Sequence, residues 1–270
     1  MREEPARGGV RSVGKAMELL EVLLARRRPM SLGELTEAMG YPKSTVHALL
    51  ATLRAYSAIE QREDGRYYLG VRLFECGCAV SEAWDITRAA RPHLEQLAER
   101  TCASAFLSLL EGGTVISLDQ CAASTGTGLQ VVVEIGTRLP LHATAQGKLL
   151  LSRLSDSEAL SRLSAAGMPA FTPHTITEPQ RLMAALADIR RAGCAVEDGE
   201  YKIGLRAAAA PVLDRGGQLR YALGVVGLFR RVASEEFQRA MAETIRQARQ
   251  LSAALGCPPD AAFLHGPGGL

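Results

Sequence analysis

The chain has 270 residues, of which 47% are hydrophobic and 22% charged, which suits a folded protein of two unequal domains and argues against disorder outside its ends. Its longest strongly apolar run, Tyr221 to Phe229, falls far short of the ~20 residues of a membrane-spanning helix. The first residues carry Arg2, Glu3, Glu4 and Arg7 with no apolar run behind them, so they do not read as a signal peptide, and a cytoplasmic protein with no membrane partner is expected. Six cysteines are scattered rather than spaced as a framework, which favours reduced thiols. Cys76 and Cys78 form a C-x-C pair, but no second pair or nearby histidine completes a zinc set, so they read as small helix residues; no metal and no cofactor is expected. The net charge is +2, and residues 1–70 hold 11 basic and 9 acidic side chains, which leaves 20 of each for the remainder.

The first amphipathic helix is predicted from Ser12 to Ala25, with Val13, Ala16, Met17, Leu19, Leu20, Leu23 and Leu24 at helical spacing. Ser31-Leu32-Gly33-Glu34 reads as a capping box that starts a short second helix ending at Met39. Gly40 suits a left-handed stop, and Pro42 suits the first turn of a third helix running to about Tyr56. That helix sets Val46, Leu49, Leu50 and Leu53 on one face. At its start and on the other face lie Lys43, Ser44, Thr45 and His47. No acidic residue occurs between Glu37 and Glu60, as a helix entering the phosphate field of a major groove requires. From this helix alone, a plain solvated surface reads equally well. The next segment shifts the balance: two short alternating runs, Ile59 to Arg62 and Arg66 to Leu69, are joined at Asp64-Gly65, a signal for a tight hairpin. Three helices followed by a hairpin make a winged helix-turn-helix. Arg62 and Arg66 flank the tip, where they reach phosphates or serve only as solubilising charges.

Several segments together resemble the IclR family of bacterial regulators. They are Ser31 to Leu35, Gly40 to Leu53, Asp64 to Gly70, Ala90-Arg-Pro-His-Leu94, Pro140-Leu-His-Ala-Thr-Ala-Gln-Gly-Lys148, Thr172 to Thr177 and Ala208-Ala-Ala-Pro-Val212. The resemblance implies an α+β protein: a winged helix-turn-helix over residues 1–70, a linker helix over 71–84, and a GAF-like α/β effector-binding domain over 85–257, with a disordered tail over 258–270. It also implies binding of a palindromic, double-stranded operator by a homodimer or homotetramer. One departure is His47, where the family commonly carries arginine.

Within the second domain, helices are predicted from Ile86 to Arg100, Thr144 to Leu154, Asp156 to Ser164, Pro179 to Ala192 and Ser234 to Leu255. Strands are predicted at Ser104 to Leu110, Thr114 to Gln120, Leu129 to Ile135, Ala207 to Leu213 and Tyr221 to Phe229. Thr144 is the natural N-cap of its helix, which leaves the backbone N–H groups of Ala145, Gln146 and Gly147 at the positive helix end, where a carboxylate binds well. An ordinary capped helix with nothing bound is the alternative. The resemblance places effector contacts at Ala145, Gln146, Glu197, Leu205, Ala207, Gly224 and Val226. Where relatives holding small oxoacids carry a thiol and two hydroxyls, this chain has Ala207, Gly224 and Val226, so the expected effector is a small but rather apolar or aromatic carboxylate. An enzyme is not expected: His142, Lys148, Cys194 and Asp198 are reactive types without a catalytic motif around them.

Overall fold

A computed structural model describes residues 10–83, 85–111, 113–123, 131 and 134–259. The chain forms two compact units that divide between Asp85 and Ile86. In the first, α1 (Arg11–Arg26) buries Leu19 and Leu23 and ends where Arg27 turns left-handed, with φ 48°. Helix α2 (Leu32–Met39) starts on the predicted capping box: Ser31 Oγ accepts from the Glu34 N–H at 3.3 Å, and Glu34 Oε2 accepts from the Ser31 N–H at 2.8 Å. Gly40 closes α2 at φ 67°. Pro42 stands one position earlier than expected. It is the N-cap of α3 (Lys43–Ala55), where its missing N–H is equally harmless and its carbonyl accepts from Thr45 and Val46.

Strands β1 (Ile59–Gln61) and β2 (Tyr67–Leu69) pair antiparallel, and Met30 joins β2 through two backbone hydrogen bonds with Tyr67. The turn between them is longer than the Asp64-Gly65 signal suggests. Arg62 and Arg66 pair across it at 2.8 Å with three residues between them, of which only Gly65 has a positive φ, 77°, so the type I′ two-residue turn that Asp-Gly favours, with positive φ at both positions, does not form. Asp64 Oδ1 instead accepts from the Arg66 N–H and braces the loop. At Gly70 a side chain would meet the Ser57 carbonyl at 2.2 Å, so glycine alone lets the chain pass from the wing into α4 (Val71–Ala83). Cys76 and Cys78 lie exposed on α4.

The second unit opens with α5 (Asp85–Thr101), β3 (Ser104–Glu111), β4 (Thr114–Cys121) and the short β5 (Arg138–Leu139). Most of the strand expected at Leu129 to Ile135 lies outside the described residues. The described Val131 and Glu134 are in no strand and Ile135 is in a turn, and it is β5 that pairs with β4. Then come α6 (Ala145–Ser152), α7 (Asp156–Ala166), α8 (Pro179–Ala192), β6 (Ala195–Asp198), β7 (Arg206–Leu213), β8 (Leu219–Gly227) and α9 (Glu235–Ala254). The strand order is β5-β4-β3-β8-β7-β6, antiparallel throughout.

Helices α5 and α9 cover one face of this sheet, where Leu94, Leu97, Phe237 and Leu251 pack with Leu107, Leu223 and Val225. On the other face Leu149, Leu182 and Leu186 pack with Phe106, Ala209 and Val226, with α6 against the strands. Ala207 to Ala210 are poor strand formers in isolation. Here both faces of β7 are covered, and methyl-sized side chains let α6 and α9 approach closely.

Candidate functional site

On α3, Lys43, Ser44 and His47 are exposed, while Val46 and Leu50 are buried against α1 and α2; Thr45 is half-buried at the boundary. The helix is held in place from both ends. Tyr41, just before it, donates its hydroxyl to Glu18 of α1 at 2.8 Å and carries Lys15 over its ring. Arg54, in its last turn, donates to Gln61 Oε1 at 2.6 Å, and Gln61 donates to the Gly65 carbonyl, which ties helix to wing.

The two wing arginines differ. Arg62 is exposed, stacks over Tyr68 at 5.4 Å and lies 3.7 Å from Glu60. Arg66 instead reaches back to the start of α2 and bonds Glu34 Oε2 at 3.0 Å, in a cluster shared with Arg28. The Ser31 N–H, with Arg28 beside it, holds the Glu34 carboxyl down at about 2.

In the second unit, strand register brings most of the sequence-predicted effector residues together. Glu197 pairs with Ala207, Ala207 with Val226 and Val226 with Ser104, so these four form one row across β6, β7, β8 and β3. Gly224 lies two residues from Val226 on the same face, between Ala209 and Phe106. A Cβ at Gly224 would meet the Phe106 ring at 2.3 Å and the Ala208 carbonyl at 2.2 Å. The missing side chain is therefore not vacant space, because the Phe106 ring occupies it, and a serine could not be added there without moving backbone. Leu205 is half-buried against the same cluster, in the turn between β6 and β7.

Thr144 caps α6 as expected: its Oγ1 accepts from the Gly147 N–H at 3.1 Å and donates to the Pro140 carbonyl at 2.8 Å. Gly147 is thus already engaged, which corrects the expected set of three amides to two, those of Ala145 and Gln146. Both residues are buried. Gly147 is also the one residue that fits, since a Cβ there would lie 2.4 Å from the Leu141 carbonyl.

A charged cluster borders the row, and it was not legible in the sequence. Lys148 of α6 pairs with Glu200, both of them buried, and Glu200 Oε2 has no partner among the described residues. Glu197 accepts from the Tyr201 N–H at 3.2 Å, and burial pushes its carboxyl up to about 7, with the neighbouring Glu200 charge adding to the effect. The loop before α8 latches onto the same turn: Thr172 donates to the Gly199 carbonyl at 2.7 Å and Thr175 to the Glu200 carbonyl at 2.6 Å. His142 is buried with Nε2 3.0 Å from the Pro169 carbonyl, and its ring faces Phe171, which makes it a packing residue. Among the described residues no group of three His, Cys, Asp or Glu could hold a metal ion.

A winged helix-turn-helix in one unit and an α/β domain in the other define the class of two-domain transcription regulators. Residues 12–63 match the IclR helix-turn-helix domain, and residues 78–253 match the C-terminal domain of IclR bacterial transcriptional regulators. The chain belongs to the IclR family. It is 32% identical over 250 residues to the HTH-type transcriptional regulator XynR of Escherichia coli, covering 92% of this chain and 98% of that one. A crystal structure of a putative IclR regulator from Silicibacter aligns with a TM-score of 0.82 at 28% identity, covering 92% of this chain and 98% of the other. An IclR homologue from Microbacterium hydrocarbonoxydans, complexed with 4-hydroxybenzoate, shares the fold with a TM-score of 0.77 at 23% identity, covering 90% and 98%.

Proposed function

We propose that this regulator binds a palindromic operator as a homodimer or homotetramer, with α3 in the major groove, and that a carboxylate effector held at the start of α6 controls it. The observation that carries the reading is the polar, acid-free face of α3. Lys43, Ser44 and His47 stand exposed on a helix clamped by Tyr41 and Arg54, so hydrogen-bond donors are presented on a rigid support. Arg62 supplies a phosphate contact from the wing.

The effector reading rests on the buried amides of Ala145 and Gln146 at the positive end of α6, facing a sheet lined by Ala207, Val226 and Phe106. Apolar walls around one anion site suit a carboxylate of aromatic size.

The test is a titration of the full-length protein with its own upstream DNA and with random DNA. Ser44→Ala or His47→Ala should lower the preference for upstream DNA by roughly 1 to 3 kcal/mol if a base contact is lost. Equal preference in both variants, with folding intact, would remove α3 from the groove.

A further inference from the structure

Ser108 on β3 and Ser117 on β4 are direct cross-strand partners, and Ser108 also pairs with Ala222 of β8. Alternation along β3 puts Ser108 on the same face as Phe106, and alternation along β4 puts Ser117 on the same face as Val115. Phe106, Val115 and Ala222 all belong to the core beneath α6, so both hydroxyls lie on the effector side of the sheet.

Ser108 is 0% and Ser117 1% exposed, yet neither hydroxyl has a hydrogen-bond partner among the described residues. The backbone around them is satisfied, since the Ser117 N–H donates to the Thr137 carbonyl and the Ser117 carbonyl accepts from Gly136. Among the described residues, their neighbours on this face, Leu110, Val115 and Ala222, offer no side-chain acceptor or donor. Buried hydroxyls are normally bonded, and two adjacent unbonded ones on one face of a sheet point to a polar group that arrives from elsewhere.

Their position fits the effector. Ser108 lies two residues, about 7 Å, along β3 from Phe106, whose ring closes the space over Gly224. The polar surface that positions 224 and 226 do not offer is thus found one step further along the same face, on strands that α6 packs against.

We infer that Ser108 and Ser117 form a second hydrogen-bonding station in the effector site, taking a hydroxyl or carbonyl group of an acid whose carboxylate rests on the Ala145 and Gln146 amides. The effector class narrows to hydroxy- or oxo-carboxylates of aromatic size. This assignment rests on the reading of α6 as the carboxylate anchor.

Calorimetry of the full-length protein with benzoate, 3-hydroxybenzoate and 4-hydroxybenzoate separates the two. At least one hydroxybenzoate should bind about three- to tenfold more tightly than benzoate, as one added hydrogen bond allows. Combined Ser108→Ala and Ser117→Ala should erase that advantage and leave benzoate affinity unchanged or improved. An advantage that persists in the double variant, or benzoate binding as tightly as both hydroxy acids in the unaltered protein, overturns the serine station and leaves the anchor standing. Failure of all three acids to bind overturns the anchor and the station together. The ligand-free double variant supplies an independent check: its Tm should equal or exceed that of the unaltered protein, because no bonded group is lost. A clear drop shows that the hydroxyls hold the fold, which also overturns the assignment.

Discussion

Glu197 is a carboxyl whose neighbours do little to stabilise its charge. Lys148, the nearby cation, is already paired with Glu200, so burial dominates and holds Glu197 at about 7. Between about pH 4.5 and 7 the folded chain therefore keeps a proton that the unfolded chain has released. Stability should fall as pH rises through this window, by at most about 1.4 kcal/mol per pH unit. Asp119, on the opposite face of the sheet, is also raised by burial and adds to the same trend. Comparison with Glu197→Gln isolates the contribution of Glu197: thermal unfolding from pH 5 to 7 should show a shallower slope in the variant. Identical slopes would show that Glu197 titrates normally. An anionic effector at α6 faces the same charge, so its affinity should also weaken as Glu197 ionises.

At the scale of elements, legibility followed the strength of local signals. The capping box at Ser31, the left-handed stop at Gly40 and the span of α8 were all readable, because each depends on a few adjacent residues. Strands β5 and β6 were not, having two and four residues; β6 also carries Glu197 and Asp198, which do not read as strand. Helix α6 is buried along its whole length, so no polar face revealed its contacts. Lys148 and Glu200 are 52 positions apart and come together only through the sheet. The wing shows the same limit, because its two arginines look alike in sequence while Arg66 is bound to Glu34 and Arg62 is not. Arg62→Ala should weaken binding to all DNA alike and reduce the salt slope by about 1. Arg66→Ala should weaken DNA binding too and in addition lower the stability of the wing slightly, within ~1 kcal/mol, since the lost ion pair is solvent-exposed. Salt titrations and Tm values of the two variants check this; a Tm drop in Arg62→Ala alone would reverse the assignment.

At the scale of the whole molecule, the proposed operator binding calls for a surface that pairs two copies. A single recognition helix and wing bury too little surface for strong specific binding, and a palindromic operator needs two heads about one helical turn apart. The DNA-binding unit carries a feature suited to pairing. Val10, Val13, Met17 and Leu24 are 67%, 58%, 55% and 47% exposed, and their spacing of three, four and seven residues forms a stripe along α1. Helix α4 of the same unit adds exposed Val71 and Phe74. Apolar side chains at this spacing are costly in water and gain most by packing against a second copy of the same stripe. Met17→Glu places a charge at the middle of the stripe without touching the core, because Leu19 and Leu23 point the other way. Its Tm at low protein concentration should match that of the unaltered protein. Its sedimentation at micromolar concentration should shift toward smaller species, and its operator affinity should fall much more than its affinity for random DNA, since only the operator engages both heads. If Met17→Glu sediments and binds operator like the unaltered protein, the stripe is not a subunit contact.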